Sequence, residues 1–177
     1  MRKLLLTLAV ATFVVSCTKE QTDHRTHEQA APTLDVGTTT TTTDGTTTAA
    51  VPGQQVSLEI SGDDAMRFDK SELRVPAGSK VTLTLRHTGT LAKEAMGHNW
   101  VLLKQGTSIN DFGMAAVNAK DNGYIPAGST DYIAHTDMIG GGESTSVTFD
   151  APAPGTYDFI CSFPGHFSAM QGKFIVE

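Results

Sequence analysis

Apolar and polar residues alternate along short runs in the part of the chain after residue 55. Four runs rich in β-branched and apolar residues stand out: residues 56–60, 80–86, 144–149 and 173–176. In the first three the alternation has a period of two, which is typical of half-buried β-strands. Turn-forming Gly and Pro residues separate the runs at 76–78, 140–142 and 152–155. The pattern predicts an all-β fold, an antiparallel sandwich of Greek-key type.

One segment between about residues 108 and 120 has helical spacing instead. Ser108 can cap its first turn, and Asp111 follows three residues later, as at many helix N-termini. The apolar residues predicted for one face are Ile109, Phe112, Ala116 and Val117. About 120 residues suit one sandwich and not two. We therefore predict a single β-sandwich domain at 55–177 with one short helix.

The N-terminus has the pattern of an export signal. A basic start at residues 1–3 precedes an apolar run at 4–15, which is too short to span a bilayer comfortably. Cys17 follows this run directly after the small residue Ser16, as in a bacterial lipobox. We expect removal of residues 1–16 and lipidation of Cys17, which would anchor the chain to a membrane without crossing it. A plain signal peptide that happens to contain a cysteine is the alternative.

Residues 17–54 are rich in Thr and Ala and contain scarcely any large apolar side chain. Such a segment cannot bury enough surface to offset the entropy of ordering it, so we predict a disordered tether. As a flexible coil it would reach roughly 35 Å on a root-mean-square basis, and about 120 Å fully extended. His24 and His27 lie in the tether and are interpreted as solvated linker residues rather than metal ligands.

The charge of the predicted domain excludes one class of partner. Residues 55–177 contain nine Lys and Arg against fourteen Asp and Glu, a net charge of −5, and the full chain carries −6. An acidic domain without a Lys/Arg cluster is a poor nucleic-acid binder. The same charge gives no attraction to anionic lipid, so the lipid on Cys17 must supply the anchoring.

A candidate metal site follows from the cysteines. The chain has two, and if Cys17 carries lipid, Cys161 has no disulfide partner. An unpaired thiol in an exported protein is most simply explained by metal ligation. His166 and Met170 lie on the same short loop as Cys161, and His98 lies far upstream. A thiolate, two imidazoles and a weak thioether are the ligands of a blue, type 1 copper site.

Several motifs carry a family resemblance along nearly the whole domain. They are residues 96–101 (MGHNWV), 133–136 (IAHT), 142–143 (GE), 146–149 (SVTF), 161–166 (CSFPGH) and 170–172 (MQG). Together they resemble azurin, a blue copper protein of the cupredoxin family, and residues 151–157 are also similar to the auracyanins. With the lipobox and tether, the whole chain resembles a lipid-anchored azurin. It departs from the family at Val56 and Gly78, which stand where azurins usually have a disulfide.

The resemblance implies a role for each residue of the copper site. His98, Cys161 and His166 would be the strong equatorial ligands, Met170 a long axial ligand, and the Gly97 carbonyl a weak contact opposite it. Asn99 would tie the two ligand segments together, and the Phe163 amide would donate to the Cys161 sulfur. Two further histidines are less distinctive: His87 either modulates the potential or simply ends a strand, and His135 is interpreted as structural. Trp100 is predicted to lie in the core.

The resemblance also implies a surface for electron exchange around His166. The matching apolar residues, which we call the docking patch, are Met66, Leu91, Met96, Met114, Phe163 and Pro164, with Ala95 and Ser168 as small members. Ordinary packing residues are the alternative interpretation. Redox proteins such as c-type cytochromes or copper enzymes would be the partners.

These inferences predict a membrane-anchored periplasmic electron carrier with one type 1 copper and no enzyme activity. A copper oxidase or nitrite reductase is disfavoured because Ile160 and Ser162, not histidines, flank Cys161. A cysteine hydrolase would need an orienting third group beside Cys161 and His166, for which the sequence offers none. A periplasmic copper-binding or storage protein is the remaining alternative. Thr18, rather than Asp, follows the lipidated cysteine and favours the outer membrane of the cell envelope.

Overall fold

A computed structural model describes residues 53–177 of the chain. The predicted signal segment 1–16, the lipidation site Cys17 and nearly all of the tether 17–54 lie outside the described residues. The strands and helices are β1 (Gln55–Gly62), β2 (Glu72–Val75), β3 (Lys80–His87), α1 (Lys93–Met96), β4 (Val101–Leu103), α2 (Ile109–Ala116), β5 (Tyr132–His135), β6 (Ser144–Asp150), β7 (Gly155–Ile160) and β8 (Gln171–Val176). A single 3₁₀ turn covers Lys120–Asn122. No helix of this described part is both long and apolar enough to cross a bilayer.

The strands form two sheets, which confirms the predicted β-sandwich. One has three strands in the order β1-β3-β6, and the other five in the order β2-β8-β7-β4-β5. Two of the pairs, β1 with β3 and β2 with β8, are parallel, so the expectation of a fully antiparallel sandwich was wrong there. β1 and β3 are parallel because the chain crosses to the other sheet between them. After β1 it forms β2 in the five-stranded sheet, and it then returns to place β3 beside β1 in the same direction.

The four runs predicted as strands lie in β1, β3, β6 and β8. The strands not predicted are β2, β4, β5 and β7, and β4 shows why. All three of its residues are buried, because β4 lies in the five-stranded sheet with an apolar cluster on each face. Leu102 faces the core between the sheets, and Val101 and Leu103 face a second cluster that includes Phe112 of α2. Burial on both faces removes the alternation that identifies a half-buried strand.

The core between the sheets is centred on Trp100, which is fully buried as predicted. Its ring lies 5.8 Å from that of Phe149, 5.9 Å from Phe159 and 6.1 Å from Phe174, measured between centroids. Aromatic pairs at this spacing add to the free energy gained by burial alone. Trp100 stands two residues after His98, so this packing also fixes the chain next to the candidate ligand.

Helix α2 begins as the sequence predicts, with the Ser108 hydroxyl accepting a hydrogen bond from the Asp111 amide at 3.2 Å. Phe112 and Ala116 are buried. The prediction that Val117 shares this buried face is wrong, since Val117 is 41% exposed. The helix ends at Ala116, and the Asn118 and Ala119 amides bond to carbonyls three residues back, which tightens the chain into a turn.

Backbone hydrogen bonds join the segments around Val56 and Gly78 that a disulfide usually links in azurins. The Gly53 amide donates to the Gly78 carbonyl at 3.1 Å, and the Lys80 amide donates to the Gln54 carbonyl at 2.8 Å. Cys161 is the free cysteine of residues 53–177. The start of β1 is therefore held by its pairing with β3 and not by a covalent link.

Candidate metal centre

Strand pairing brings the two distant ligand segments together. His98 lies just before β4 and Cys161 just after β7, and these strands are antiparallel neighbours with Val101 opposite Ile160. Extending this register beyond the strands places Asn99 opposite Ser162. The backbone thus carries His98 and Cys161 to the same end of the sandwich before any side chain takes part.

The three strongest candidate ligands converge there. The Cys161 Sγ lies 3.9 Å from His98 Nδ1 and 3.7 Å from His166 Nδ1. All three ligand atoms lie within 4.8 Å of one another, and all three residues are buried. Bonds of about 2.0–2.3 Å, as zinc makes to nitrogen and sulfur, separate ligand atoms by about 3.5–4 Å in a trigonal arrangement. The donor atoms therefore fit a first-row metal ion without rearrangement of the backbone.

Neighbouring groups fix the orientation of His98. Its Nε2 lies 2.9 Å from the backbone carbonyl of Asp63, so Nε2 carries the proton and Nδ1 is left free to bind a metal. The His87 ring stacks on the His98 ring with centroids 4.2 Å apart. On another side, a side chain added at Gly62 would meet the ring at 2.7 Å. The imidazole is held in one position and one tautomer, as metal-binding histidines usually are.

The segment that carries His166 closes on itself. The His166 amide donates to the Phe163 carbonyl at 3.0 Å, and the Met170 amide donates to the His166 carbonyl at 2.7 Å. The Cys161 amide then donates to the Met170 carbonyl at 2.9 Å. Phe167 adds an outside contact, because its ring occupies the space where a side chain on Gly113 of α2 would lie. These contacts tie the loop to itself and to α2.

Asn99 forms hydrogen bonds to the segment that carries Cys161. Its Oδ1 accepts a hydrogen bond from the Ser162 amide at 2.8 Å, and its Nδ2 donates to the Ser162 hydroxyl at 2.8 Å. That hydroxyl donates in turn to the Tyr124 carbonyl at 2.7 Å, and Asn99 Nδ2 also reaches the Gly123 carbonyl at 3.2 Å. A third segment, the turn before Ile125, is thereby attached to the site.

Met170 and Gly97, the predicted axial ligand and the predicted weak contact opposite it, both lie next to the thiol. Met170 is fully buried and packs in one cluster with Cys161 and Phe163. The carbonyl oxygen of Gly97 lies 3.9 Å from the Cys161 sulfur. A side chain at Gly97 would come within 2.9 Å of Met138 Sδ and 3.0 Å of the Phe163 ring, so only glycine lets the backbone approach the site this closely.

Burial sets the charge state of each ligand in the metal-free protein. It raises the pKa of the Cys161 thiol to about 11, although the backbone amides of Asn99 and Phe163 favour the thiolate and oppose the change. Burial, reinforced by His98 and His87, lowers the pKa of His166 to about 4. It also lowers the pKa of His98, against the opposing hydrogen bond to the Asp63 carbonyl. At neutral pH both imidazoles are thus neutral and ready to bind a metal, whereas the thiol still holds its proton.

The docking patch is only partly exposed. Met66, Leu91 and Met114 are 39%, 43% and 58% exposed. Met96 and Pro164 are half-buried, and Phe163 is 9% exposed, so Phe163 lies beneath the surface and not on it. His166 itself is 3% exposed. Asp64 connects two of the patch segments: its carboxylate accepts a bond from the Leu91 amide at 3.3 Å, and Asp64 lies in the same turn as Met66.

The two remaining histidines of the domain differ. His87 is buried with both nitrogens occupied: Nε2 donates to the Met96 carbonyl at 2.7 Å, and Nδ1 accepts from the Gly89 amide at 3.1 Å. Its stacking on His98 places it in direct contact with a ligand. His135 is half-buried, packs on the Tyr132 ring and reaches the Thr136 carbonyl at 3.0 Å, as expected for a structural residue.

Uptake of copper(II) by the metal-free protein should release one proton per ion at neutral pH. Cys161 is the ligand that is still protonated there, since the His166 pKa is about 4 and that of Cys161 about 11. The logarithm of the affinity should therefore rise by about one for each unit of pH between about 7 and 10. Titration calorimetry in buffers of different ionisation enthalpy measures the released protons directly. Release of two protons would mean that a histidine is also charged before binding.

A two-sheet β-sandwich that holds one cysteine sulfur and two imidazoles in a buried, trigonal group at its end defines a cupredoxin with a type 1 copper site. The model of the copper-binding plastocyanin/azurin family matches residues 54–177. The chain therefore belongs to this family.

Its similarity to individual members is extensive. Azurin-1 of Alcaligenes xylosoxydans xylosoxydans is 49% identical over 125 residues, which are 67% of this chain and 95% of that protein. The azurin of Bordetella pertussis is 45% identical over 131 residues, 71% of this chain and 86% of that one. Among solved structures, auracyanin A of Chloroflexus aurantiacus superposes with a TM-score of 0.65 at 37% identity, over 70% of this chain and 99% of that chain.

Proposed function

We propose that the protein is a periplasmic electron carrier, anchored to a membrane of the bacterial envelope through lipid on Cys17. The copper ion, when bound, would take up and give back a single electron. The observation that carries the proposal is the burial of a preformed ligand group: His98, Cys161 and His166 are 0%, 0% and 3% exposed. Buried ligands leave little room for a substrate at the metal, whereas an electron needs no open coordination position.

The chain's own contribution is to keep the ligands in place during electron transfer. The Asp63 carbonyl fixes His98, the hydrogen-bonded loop fixes His166, and Asn99 links the two segments. A site that does not rearrange between oxidation states transfers electrons with little reorganisation. A docking surface of scattered apolar side chains suits brief encounters with c-type cytochromes or copper enzymes, which a carrier needs.

Two measurements on the full-length protein test this function. Copper(II) should produce an intense visible absorption band and a type 1 electron paramagnetic resonance spectrum. The blue protein should then be bleached by a reduced c-type cytochrome and recover its colour when an oxidised acceptor is added. A protein that binds copper firmly but is not reduced and reoxidised in this way would be a copper-binding or storage protein.

Met170→Gln should retain copper and lower the reduction potential. The amide oxygen of glutamine is a harder ligand than a thioether sulfur and favours copper(II) over copper(I). Met170 is fully buried beside Cys161, so the replacement side chain stays near the metal. Voltammetry measures the change, and Met138→Gln is the matched control, since Met138 packs against the same cluster without being a proposed ligand. An equal shift in both variants would remove Met170 from the axial position.

Cys17→Ser should abolish stable attachment to the membrane. Several acyl chains on one cysteine supply the anchoring that a single chain does not, and the acidic charge of the domain provides no electrostatic substitute. The measurement is the share of protein recovered with the membrane fraction of a bacterial host. The same substitution at the other cysteine, Cys161→Ser, should leave attachment unchanged. Equal membrane recovery of both variants would contradict the lipid anchor.

A further inference from the structure

The exposed part of the docking patch comes from separate segments of the chain. Met66 lies in the turn between β1 and β2, and Leu91 lies in the segment between β3 and α1. Both segments follow the paired ends of β1 and β3, where Gly62 stands opposite His87. Beyond these ends, strand pairing no longer sets the position of Met66 relative to Leu91.

The Asp64 carboxylate connects the two segments. Its Oδ2 accepts hydrogen bonds from the Thr90 amide at 2.8 Å and the Thr90 hydroxyl at 3.3 Å, and its Oδ1 accepts one from the Leu91 amide at 3.3 Å. Gly89 leaves space for the carboxylate, because a side chain there would overlap Asp64 Oδ1. The bond from the Thr90 amide is the largest influence that lowers the pKa of Asp64, so the group is charged at neutral pH.

The turn that carries Met66 has hydrogen bonds of its own. Asp63 Oδ1 accepts bonds from the Ala65 amide at 3.0 Å and the Arg67 amide at 3.2 Å. The Met66 amide donates to the Asp63 carbonyl at 3.1 Å. Met66 has φ of 56°, in the left-handed region that a bulky residue rarely occupies, and strain of this kind persists where surrounding contacts enforce it. The turn therefore presents Met66 in one backbone conformation.

The segment that carries Leu91 is also held by bonds that do not involve Asp64. The Leu91 carbonyl accepts a hydrogen bond from the Gly141 amide at 2.8 Å. Thr88, at the start of the segment, donates to the Gly62 carbonyl through its amide at 2.8 Å and its hydroxyl at 3.0 Å. Both segments should therefore keep their local folds when the Asp64 carboxylate is removed. What such a variant loses is the link between them.

We propose that Asp64 is a positioning residue for electron exchange, which holds Met66 and Leu91 together as one apolar surface for a second protein. The inference rests on the proposed electron-carrier function and on exchange through the docking patch. A contact surface that is already ordered costs less entropy on docking than one that the partner must order. Asp64 thus acts through the placement of its neighbours and not through its charge.

Electron self-exchange tests this role, because one copper(I) copy of the protein gives one electron to one copper(II) copy and no other reactant is needed. NMR line broadening measures the rate in mixtures of the two forms of the full-length protein, with enough neutral detergent for one chain per micelle. Self-exchange has no net driving force, so it is independent of any shift in reduction potential caused by removing a charge 4.0 Å from His87 Nε2. Two copies of a domain with net charge −5 repel each other, so loss of a negative charge alone should speed the reaction.

Asp64→Ala and Asp64→Asn remove the same charge, but only asparagine keeps an oxygen that can accept from the Thr90 amide. We expect self-exchange to be about three- to tenfold slower in Asp64→Ala and intermediate in Asp64→Asn. Asp150→Asn removes a charge paired with Lys80 at the opposite end of β3 and should react at least as fast as wild type. Met114→Glu places a charge in the patch on α2 and should also slow the exchange.

Amide hydrogen exchange of the metal-free protein provides a readout that does not depend on electron transfer. The Thr90 and Leu91 amides should exchange about tenfold faster in Asp64→Ala than in wild type, and the Thr90 amide should regain protection in Asp64→Asn. The Met66 amide should change little, because its acceptor belongs to its own turn.

Three results would overturn the positioning role: wild-type self-exchange in Asp64→Ala, equal slowing in Asp64→Ala and Asp64→Asn, or an altered blue absorption band in Asp64→Ala. Wild-type exchange in Asp64→Ala together with slow exchange in Met114→Glu would reject only the role of Asp64 and leave the docking patch. If the wild type shows no self-exchange and is not reduced by a small neutral reductant, the electron-carrier function fails, and the positioning role fails with it.

Discussion

Replacing Cys161 by serine should abolish the intense blue absorption and greatly weaken copper binding. The band arises from charge donated by the thiolate to copper(II), and a neutral hydroxyl provides neither the charge nor the soft sulfur. The replacement is small and lies in a site already held by the strand pairing of β4 with β7 and by the Asn99 and Ser162 bonds. The metal-free variant should therefore still fold. Visible absorption with copper(II), together with thermal unfolding of the metal-free protein, separates loss of the ligand from loss of the fold.

Cys17→Ser is the matched control, because it makes the same chemical change at the other cysteine of the chain. It should keep the full blue band and the proton release on copper uptake, both of which Cys161→Ser should lose. A Cys161→Ser protein that remains blue, or a wild type that binds copper without the band, would contradict the type 1 assignment.

Gly62→Ala should disturb the copper site and weaken copper binding, although it replaces none of the ligand residues. The new methyl group would lie 2.7 Å from His98 Cδ2 and 3.1 Å from Met170 Cε. Both side chains are fully buried, and His87 stacks on the His98 ring, so neither has free space to move into. Overpacking of this kind costs about 1–3 kcal/mol. If displacement of His98 relieves it, copper affinity falls about 5- to 150-fold and the visible spectrum shifts.

Gly172→Ala provides the comparison for this prediction. Its methyl group would also be crowded, against the Phe159 ring and 2.6 Å from the Ser71 carbonyl, and neither of these nearest neighbours is a ligand. This variant should lose thermal stability while its folded fraction keeps the wild-type spectrum. The same spectral change in both variants would mean that general strain, and not contact with His98, alters the site.

The residues that could be predicted from the sequence are those whose side chains carry distinctive chemistry or a regular pattern. A thiol, two imidazoles and a thioether are rare enough as a set to identify the ligands, and the alternation in β1, β3 and β6 reports their half-buried positions. Asn99 was predicted only through the resemblance. Its partner in the network, Ser162, would also follow from the register of β4 and β7, once those strands are known.

The residues that sequence reasoning missed act through the backbone or through absence of a side chain. The Asp63 carbonyl orients His98, and since every residue has a carbonyl, no residue type marks this position. Gly62 matters because nothing larger fits beside His98. Strand β4 was missed because burial on both faces removes its alternation, and Val117 was misplaced because the helix ends one residue earlier.

The pairing of β4 with β7 determines when the complete copper site can form during folding. Cys161 and His166 are five residues apart and can meet in a local loop, but His98 is 63 residues from Cys161. Closing so long a loop costs chain entropy, and such contacts form late in proteins dominated by distant pairings. A refolding chain supplied with copper can therefore engage its C-terminal ligands first, in an incomplete coordination sphere. The blue colour should appear only after β4 has paired with β7, so visible absorption during refolding would report when this long-range pairing forms.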